Sequence, residues 1–399
     1  MTVDLADPAT YAAGIPHEVF RQLRRDEPVS WQPEPDGPGF WAVTRHADVV
    51  SVLRQPALFS SWRGGALLAD PPPEFLAKLR ENMLNRDPPE HTVLRRLVGR
   101  AFSPRRIEQL ERRIAEHATV LIDRVIGRGS CDFATDVAGE MPLFVICEIL
   151  GVPEADRRTL YALTGRMFGS TIEDRAAALR DGMAAAEEMR RYGAELGQRK
   201  ATEPADDLVS ELLAAEPGGR RLTGGEFQAF FMLLFNAGAD TTRSLLCYGL
   251  NILLERPSLM AEMRSAPDRI PVVIEEMLRF EPPIIHFRRT ATGATTLGGR
   301  DLREGDKVVV FFPSANRDEA VFAEPDRFIA DRTPNEHLAF GIGPHFCLGA
   351  PLARVESLHV LREVVTRMST VTAAAPMVTA RSNFIRSVHH LPVRFEVAS

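Results

Sequence analysis

Cys347 stands in the run FGIGPHFCLGAPLARVE, residues 340–356. Gly341, Gly343 and Gly349 surround it, and Phe340 and Phe346 flank it. Residues 350–358 read as a helix, so the thiol lies at a helix mouth, at the end of a turn-rich loop. Unpaired backbone N–H groups and the helix dipole favour a thiolate there. The glycines let the backbone take positive φ and pass close to whatever the sulfur holds.

A structural zinc site needs about four ligands with C-x₂₋₄-C spacing. The other cysteines, Cys131, Cys147 and Cys247, are far away in the chain, and there is no redox C-x-x-C. A lone cysteine is ordinarily a small core residue. The aromatic and glycine frame argues against that here. What remains is a single axial thiolate on haem iron, which favours O–O cleavage.

The pattern F-G-x-G-x-H-x-C-x-G resembles the haem-binding loop of the cytochromes P450, and residues 340–349 meet every fixed position. The resemblance implies a mainly α fold with a smaller β region and a long central helix over the haem. It implies one domain over residues 1–399. Its β-rich part is expected at about 30–60, at 284–312 and in the C-terminal strands. It also implies haem b, with Cys347 on the iron, Phe340 and Gly349 beside it, and His345 as a propionate donor.

Four more stretches carry the resemblance and must position the loop. In DPPEHTVLRRL, residues 87–97, proline and acids suit a helix start. His91 and Arg95, four apart, share one face and could hold an anion; a solvated cationic face is the alternative. The family's H-x-x-x-R grips a haem propionate, and both residues match. Thr223-Gly224-Gly225-Glu226 is a capping box that opens an apolar run over 227–254. A helix of that length reaches about 40 Å. Its middle, NAGADTT at 236–242, is poor filler: glycine costs about 1 kcal/mol against alanine, and a threonine bonded one turn back bends a helix. A packing kink would account for it. The resemblance is to the A-G-x-[DE]-T groove for O₂, which implies Ala237 against the haem, Asp240 relaying protons and Thr241 steadying the oxygen.

Glu276 and Arg279 match the family's E-x-x-R, a buried structural pair completed by another arginine. Arg327 is the expected third member and Arg332 the fallback. In Arg288-Arg289-Thr290-Ala291 the R-x-A arginine, a propionate ligand, maps to Arg289. Around these motifs, residues 39–44 read as a strand, 297–299 as a hairpin turn and 307–311 as a buried strand. Residues 1–15 read as a loosely held arm. Candidate substrate contacts are Leu84 in the irregular connection 59–86, Met167 and Phe168 in the lid helices over 161–200, and Phe384 in a turn at 381–386. Each has a core role as its plainer alternative.

A net charge of −6 calls for neither nucleic acid nor an anionic membrane. The N-terminal stretch is polar and acidic, with no basic and apolar leader and no spanning run. The expectation is a soluble cytosolic protein, as in prokaryotic members of the family. No dinucleotide fingerprint or iron–sulfur cysteine cluster is present. Electrons are therefore expected from NAD(P)H through a ferredoxin reductase and a ferredoxin. The basic run Arg96, Arg100, Arg105, Arg106, Arg112 and Arg113 is a candidate face for that acidic partner. The implied reaction inserts one oxygen atom of O₂ into a C–H bond of a sterol, terpenoid or branched lipid. The alternative substrate is an aminoacyl group tethered to a carrier protein. Outside enzymes, the alternative is a haem-thiolate sensor, which would have no use for Asp240 and Thr241.

Overall fold

Thr223 starts the helix on which the fold is built. Its hydroxyl accepts from the Glu226 amide, and the Glu226 carboxylate accepts from the Thr223 amide. Such a reciprocal cap is worth about 1 kcal/mol. In the computed structural model, residues 3–35, 37–168, 175–216, 219 and 221–398 are described, without the side chains of residues 74, 168, 175, 176 and 179. The main helices are α1 (Glu90–Gly99), α2 (Pro104–Ile126), α3 (Glu140–Leu150), α4 (Glu154–Phe168), α5 (Arg175–Thr202), α6 (Gly224–Leu254), α7 (Ile270–Phe280) and α8 (Ala350–Arg367). α6 has 31 residues and spans about 46 Å at 1.5 Å per residue. It packs on α3, α5, α7 and α8, and Phe230, Phe231, Phe235, Leu246 and Leu250 are buried along it. Gly238 lets α6 approach α3: a Cβ there would stand 3.2 Å from the Ile146 side chain. Close packing thus offsets the helix propensity that glycine gives up.

The main strands are β1 (Val29–Gln32), β2 (Phe40–Val43), β3 (Phe59–Ser60), β4 (Ser130–Asp132), β5 (His286–Ala291), β6 (Lys307–Phe311), β7 (Met368–Ala373), β8 (Val388–His390) and β9 (Pro392–Val397). One sheet has the order β1-β2-β6-β5-β3 and draws on residues 29–60 and 286–311. β6 is buried throughout, which suits its unbroken run of valines. It runs parallel to β2 and antiparallel to β5, with Arg289 opposite Val308.

The C-terminal strands lie apart from this sheet. β9 is the middle of a separate sheet, β4-β9-β7, because the edge offered by Ser130–Asp132 pairs with Pro392, Val393 and Arg394. The N-terminal arm is not loose. Leu5 and Tyr11 pack with Phe20, Phe40 and Phe311, the Tyr11 hydroxyl donates to the Leu5 carbonyl at 3.0 Å, and Asn383 Nδ2 donates to the Ala6 carbonyl at 2.6 Å.

The third member of the Glu276 cluster is also corrected. Arg279 meets Glu276 with Nε–Oε2 at 2.7 Å and Nη2–Oε1 at 2.8 Å. Arg332, not Arg327, completes it, with Nε 3.1 Å from Oε2. The Arg327 side chain is 68% exposed and pairs with Glu324; only its carbonyl serves the cluster, accepting from Arg279 and Arg332. The reason is geometric. Arg332 can satisfy Glu276 and also reach the carbonyls of Ala323, Glu324 and Arg327, so every charge in the cluster is bonded. Breaking such a buried set leaves a charge uncompensated. Arg332→Met is expected to cost about 3–5 kcal/mol of unfolding free energy, whereas Arg327→Ala should stay within about 0.5 kcal/mol. Denaturant titration of the two variants checks this.

Candidate active site

The loop before α8 is fixed by its backbone. Gly343 has φ 78°, and a Cβ there would stand 2.4 Å from the Leu53 carbonyl, so only glycine fits. The Cys347 amide donates to the Phe340 carbonyl at 2.9 Å. The Phe340 ring meets Phe346 edge-on at 6.3 Å and lies under the Arg354 guanidinium at 4.6 Å. Arg354 is held in turn by both oxygens of Glu275, at 2.6 and 2.7 Å. Gly349 leaves open space where a side chain would be.

The Cys347 thiol is accessible, yet burial is the strongest influence on it and pushes its pKa up. The accessible space is therefore a recess within the protein, not its outer face. The amides of Gly349 and Ala350 and the guanidinium of Arg95 pull the other way. The helix mouth does favour a thiolate, as the sequence suggested. Without a metal on the sulfur, however, desolvation outweighs it.

His91 and Arg95 on α1, Arg289 on β5 and His345 in the loop form one cluster, in which the two arginines carry the charge. The His91 and His345 rings lie 4.0 Å apart. His91 is buried, and its Nδ1 has no partner. Arg289 is buried and donates to the Arg288 carbonyl, and Arg95 donates to the Phe346 carbonyl at 2.6 Å. No carboxylate closes an ion pair on any of the four among the described residues. Burial, then the neighbouring arginines, lower His91 to about 4 and His345 to about 2. Burial also brings Arg289 down to about 10. Two arginines and two neutral imidazoles, with no carboxylate among them and beside a recessed thiol, are what a haem with two propionates would complete. The residues present fit that group. Among the described residues no cluster of three or more His, Cys, Asp or Glu offers a metal centre instead.

In α6, Asn236, Ala239, Asp240 and Thr242 are buried, but Ala237 is exposed and Thr241 only half-buried. The open stripe thus runs along one helical turn. Thr241 Oγ1 donates to the Ala237 carbonyl at 2.8 Å. Asp240 points elsewhere. Its carboxylate accepts from the Ser387 hydroxyl and lies 3.1 Å from Arg243 Nη2. Burial pushes Asp240 up to about 6, against the Ser387 hydrogen bond. Sequence reasoning missed both partners. Arg243, three residues on along the helix, was findable by spacing; Ser387, 147 residues away, carried no signal.

Of the candidate substrate contacts, Leu84 is half-buried. Met167 packs against the main core, and its sulfur lies 3.8 Å from Asn236 Nδ2. Phe384 stacks edge-on with His286 and Phe287 at 5.7 and 5.5 Å. The Phe168 side chain lies outside the described residues. A surface groove lined by Arg256, Glu324 and Phe328 holds none of these groups, so the chemistry is assigned to the Cys347 recess.

Comparison with known proteins agrees with this geometry. The cytochrome P450 family profile matches residues 170–378. A Mycobacterium tuberculosis protein named for P450 126 is 39% identical, over 98% of this chain and 97% of its own length. The chain belongs to the cytochrome P450 family. It is a P450 monooxygenase, an oxidoreductase. A steroid C26-monooxygenase of Rhodococcus jostii is 34% identical, over 99% of this P450 and 85% of its own length. In structure, a Mycobacterium marinum P450 in complex with pseudoionone superposes with TM-score 0.93 and 36% identity, covering 99% of both chains. A P450 in complex with a fatty-acyl carrier protein gives 0.87 and 30%, covering 96% of this chain and 99% of that one. No helix among the described residues is long and apolar enough to cross a membrane.

Proposed function

We propose that this P450 hydroxylates a lipophilic small molecule of the sterol, terpenoid or branched-lipid class. The observation that carries the reading is the recessed Cys347 thiol beside four donors without a counter-anion. The likeness to a steroid monooxygenase and to a pseudoionone complex supports the substrate class. Cys347 would ligate the iron of haem b, with His91, Arg95, Arg289 and His345 on the propionates and Ala237, Phe340 and Gly349 against the ring. The haem supplies O₂ activation and oxygen insertion. The chain's own residues bind, orient and move protons. Asp240 holds a proton at its carboxyl, and Thr241 presents Oγ1 on the open stripe of α6. Leu84, Met167, Phe168 and Phe384 are the proposed substrate contacts. Electrons come from NAD(P)H through a ferredoxin reductase and a ferredoxin. Arg96, Arg100 and Arg105 are exposed, with no ion pair among the described residues, and suit an acidic donor.

A second reading, a carrier-tethered substrate, is favoured by the likeness to the acyl-carrier complex. A panel of sterols, terpenoids, branched fatty acids and carrier-bound acyl and aminoacyl groups, scored by the low-to-high-spin change of the ferric haem, separates the two. A response confined to carrier-bound groups would overturn the first reading. Arg289→Ala is expected to weaken haem retention about 10-fold or more, the worth of one charged hydrogen bond. Haem transfer to apomyoglobin measures it.

A further inference from the structure

Both carboxylate oxygens of Asp240 are engaged, and by different elements. Arg243 Nη2 lies 3.1 Å from Oδ1, with both side chains buried. The Ser387 hydroxyl, at the start of the C-terminal strands, donates to Oδ2. Arg243 is itself anchored: its Nη1 donates to the Tyr161 hydroxyl of α4, and its guanidinium lies 5.4 Å over that ring. Three elements therefore converge on one acid. No hydrogen bond among the described residues joins it to Thr241, whose hydroxyl is bonded to Ala237.

We infer that Arg243 and Ser387 are positioning residues that aim the Asp240 carboxyl and keep it able to release as well as take up a proton near neutral pH. The inference rests on the proposed relay role of Asp240. A carboxyl buried this deeply without donors would hold its proton permanently and could not cycle. A hydrogen bond from Ser387 and an ion pair with Arg243 favour the charged form and counter that, bringing the group near the pH at which a relay works best. Of the other charged and titratable groups, Cys247 on the same helix faces both Asp240 and Arg243, while Tyr161 from α4, Asp132 from β4 and His389 from β8 face Arg243. Asp132 is itself taken up by His390. Arg243 and Ser387 are thus the only hydrogen-bonding or ion-pairing groups on the carboxylate among the described residues.

The test is infrared difference titration of the protonated Asp240 carboxyl in ferric haem-loaded protein, with Asp240→Asn to identify the band. Ser387→Ala and Arg243→Gln should each move the midpoint upward by about 1–2 pH units, the worth of a hydrogen bond to a charged group. Ser387→Thr, which keeps the hydroxyl, should restore it. Product formed per NAD(P)H should shift its pH profile in the same direction. Ser387→Ala removes a single oxygen, so it remains informative even where an Arg243 variant folds poorly. If Asp240→Asn removes the band and uncouples turnover while both variants titrate like the parent, the positioning role is overturned and the relay stands. If Asp240→Asn leaves coupling intact, the relay falls and the inference with it.

Discussion

Cys347→His is expected to abolish turnover while leaving a chain that binds haem. The four groups proposed to hold the propionates and the apolar frame do not depend on the sulfur, so retention should survive. What is lost is the anionic ligand, whose electron donation favours O–O cleavage; a neutral imidazole does not replace it. The expected fall in product formation is at least about 10³-fold, some 4 kcal/mol of barrier. The reduced, carbon monoxide-bound protein should change from a thiolate-type to an imidazole-type absorption spectrum. A parent protein that already shows the imidazole-type spectrum would remove the Cys347 ligand from the account. So would a variant that keeps the thiolate-type one.

Asp240→Asn should cut product formation by about 10²–10⁴-fold, the usual worth of a positioned proton donor. It should leave substrate binding, read by the spin-state change, nearly intact. The asparagine amide still fills the site and can still accept from Ser387, but carries no exchangeable acid proton. Thr241→Ala should be milder, with electrons lost as hydrogen peroxide instead of appearing in product. The pH dependence has a definite sign. Burial raises Asp240 to about 6, so its protonated fraction falls as pH rises through that value. Coupling in the parent should decline on the alkaline side of about pH 6 and level off below it, and Asp240→Asn should lose that limb. Product per NAD(P)H over the pH range decides it. A parent profile unchanged in Asp240→Asn would mean that protons reach the site by another route.

Local signals in the chain carried most of this account. The Thr223 capping box, the buried valines of β6 and the glycine-framed cysteine each specify their structure within a few residues, so spacing alone identified them. His91, Arg95, Arg289 and His345 were named as separate donors from motifs up to 254 positions apart, and they proved to be one cluster. The misreadings came where partners are distant. Motif spacing favours Arg327 over Arg332, and only the carbonyls of residues 323–327 reverse that order. Ser387 is an ordinary serine until the C-terminal strands bring it to Asp240. The docked arm depends on Asn383, 377 residues from Ala6. At Cys347 the helix mouth is visible in sequence and the depth of the recess is not, so the burial that raises the bare thiol is read only from the structure.

The middle strand of the β4-β9-β7 sheet has consequences for biogenesis. Asp132 meets His390 across 258 positions, and Asp240 meets Ser387 across 147. On a ribosome that emits about 5–20 residues per second, β4 and the acid of α6 wait many seconds for their counterparts. Until then the nascent chain presents a bare strand edge and an unmatched carboxyl beside Arg243. The part of this P450 proposed to handle protons is therefore among the last to take shape, and slow-translating codons or chaperone depletion should lower the yield of competent enzyme before they lower the yield of helix.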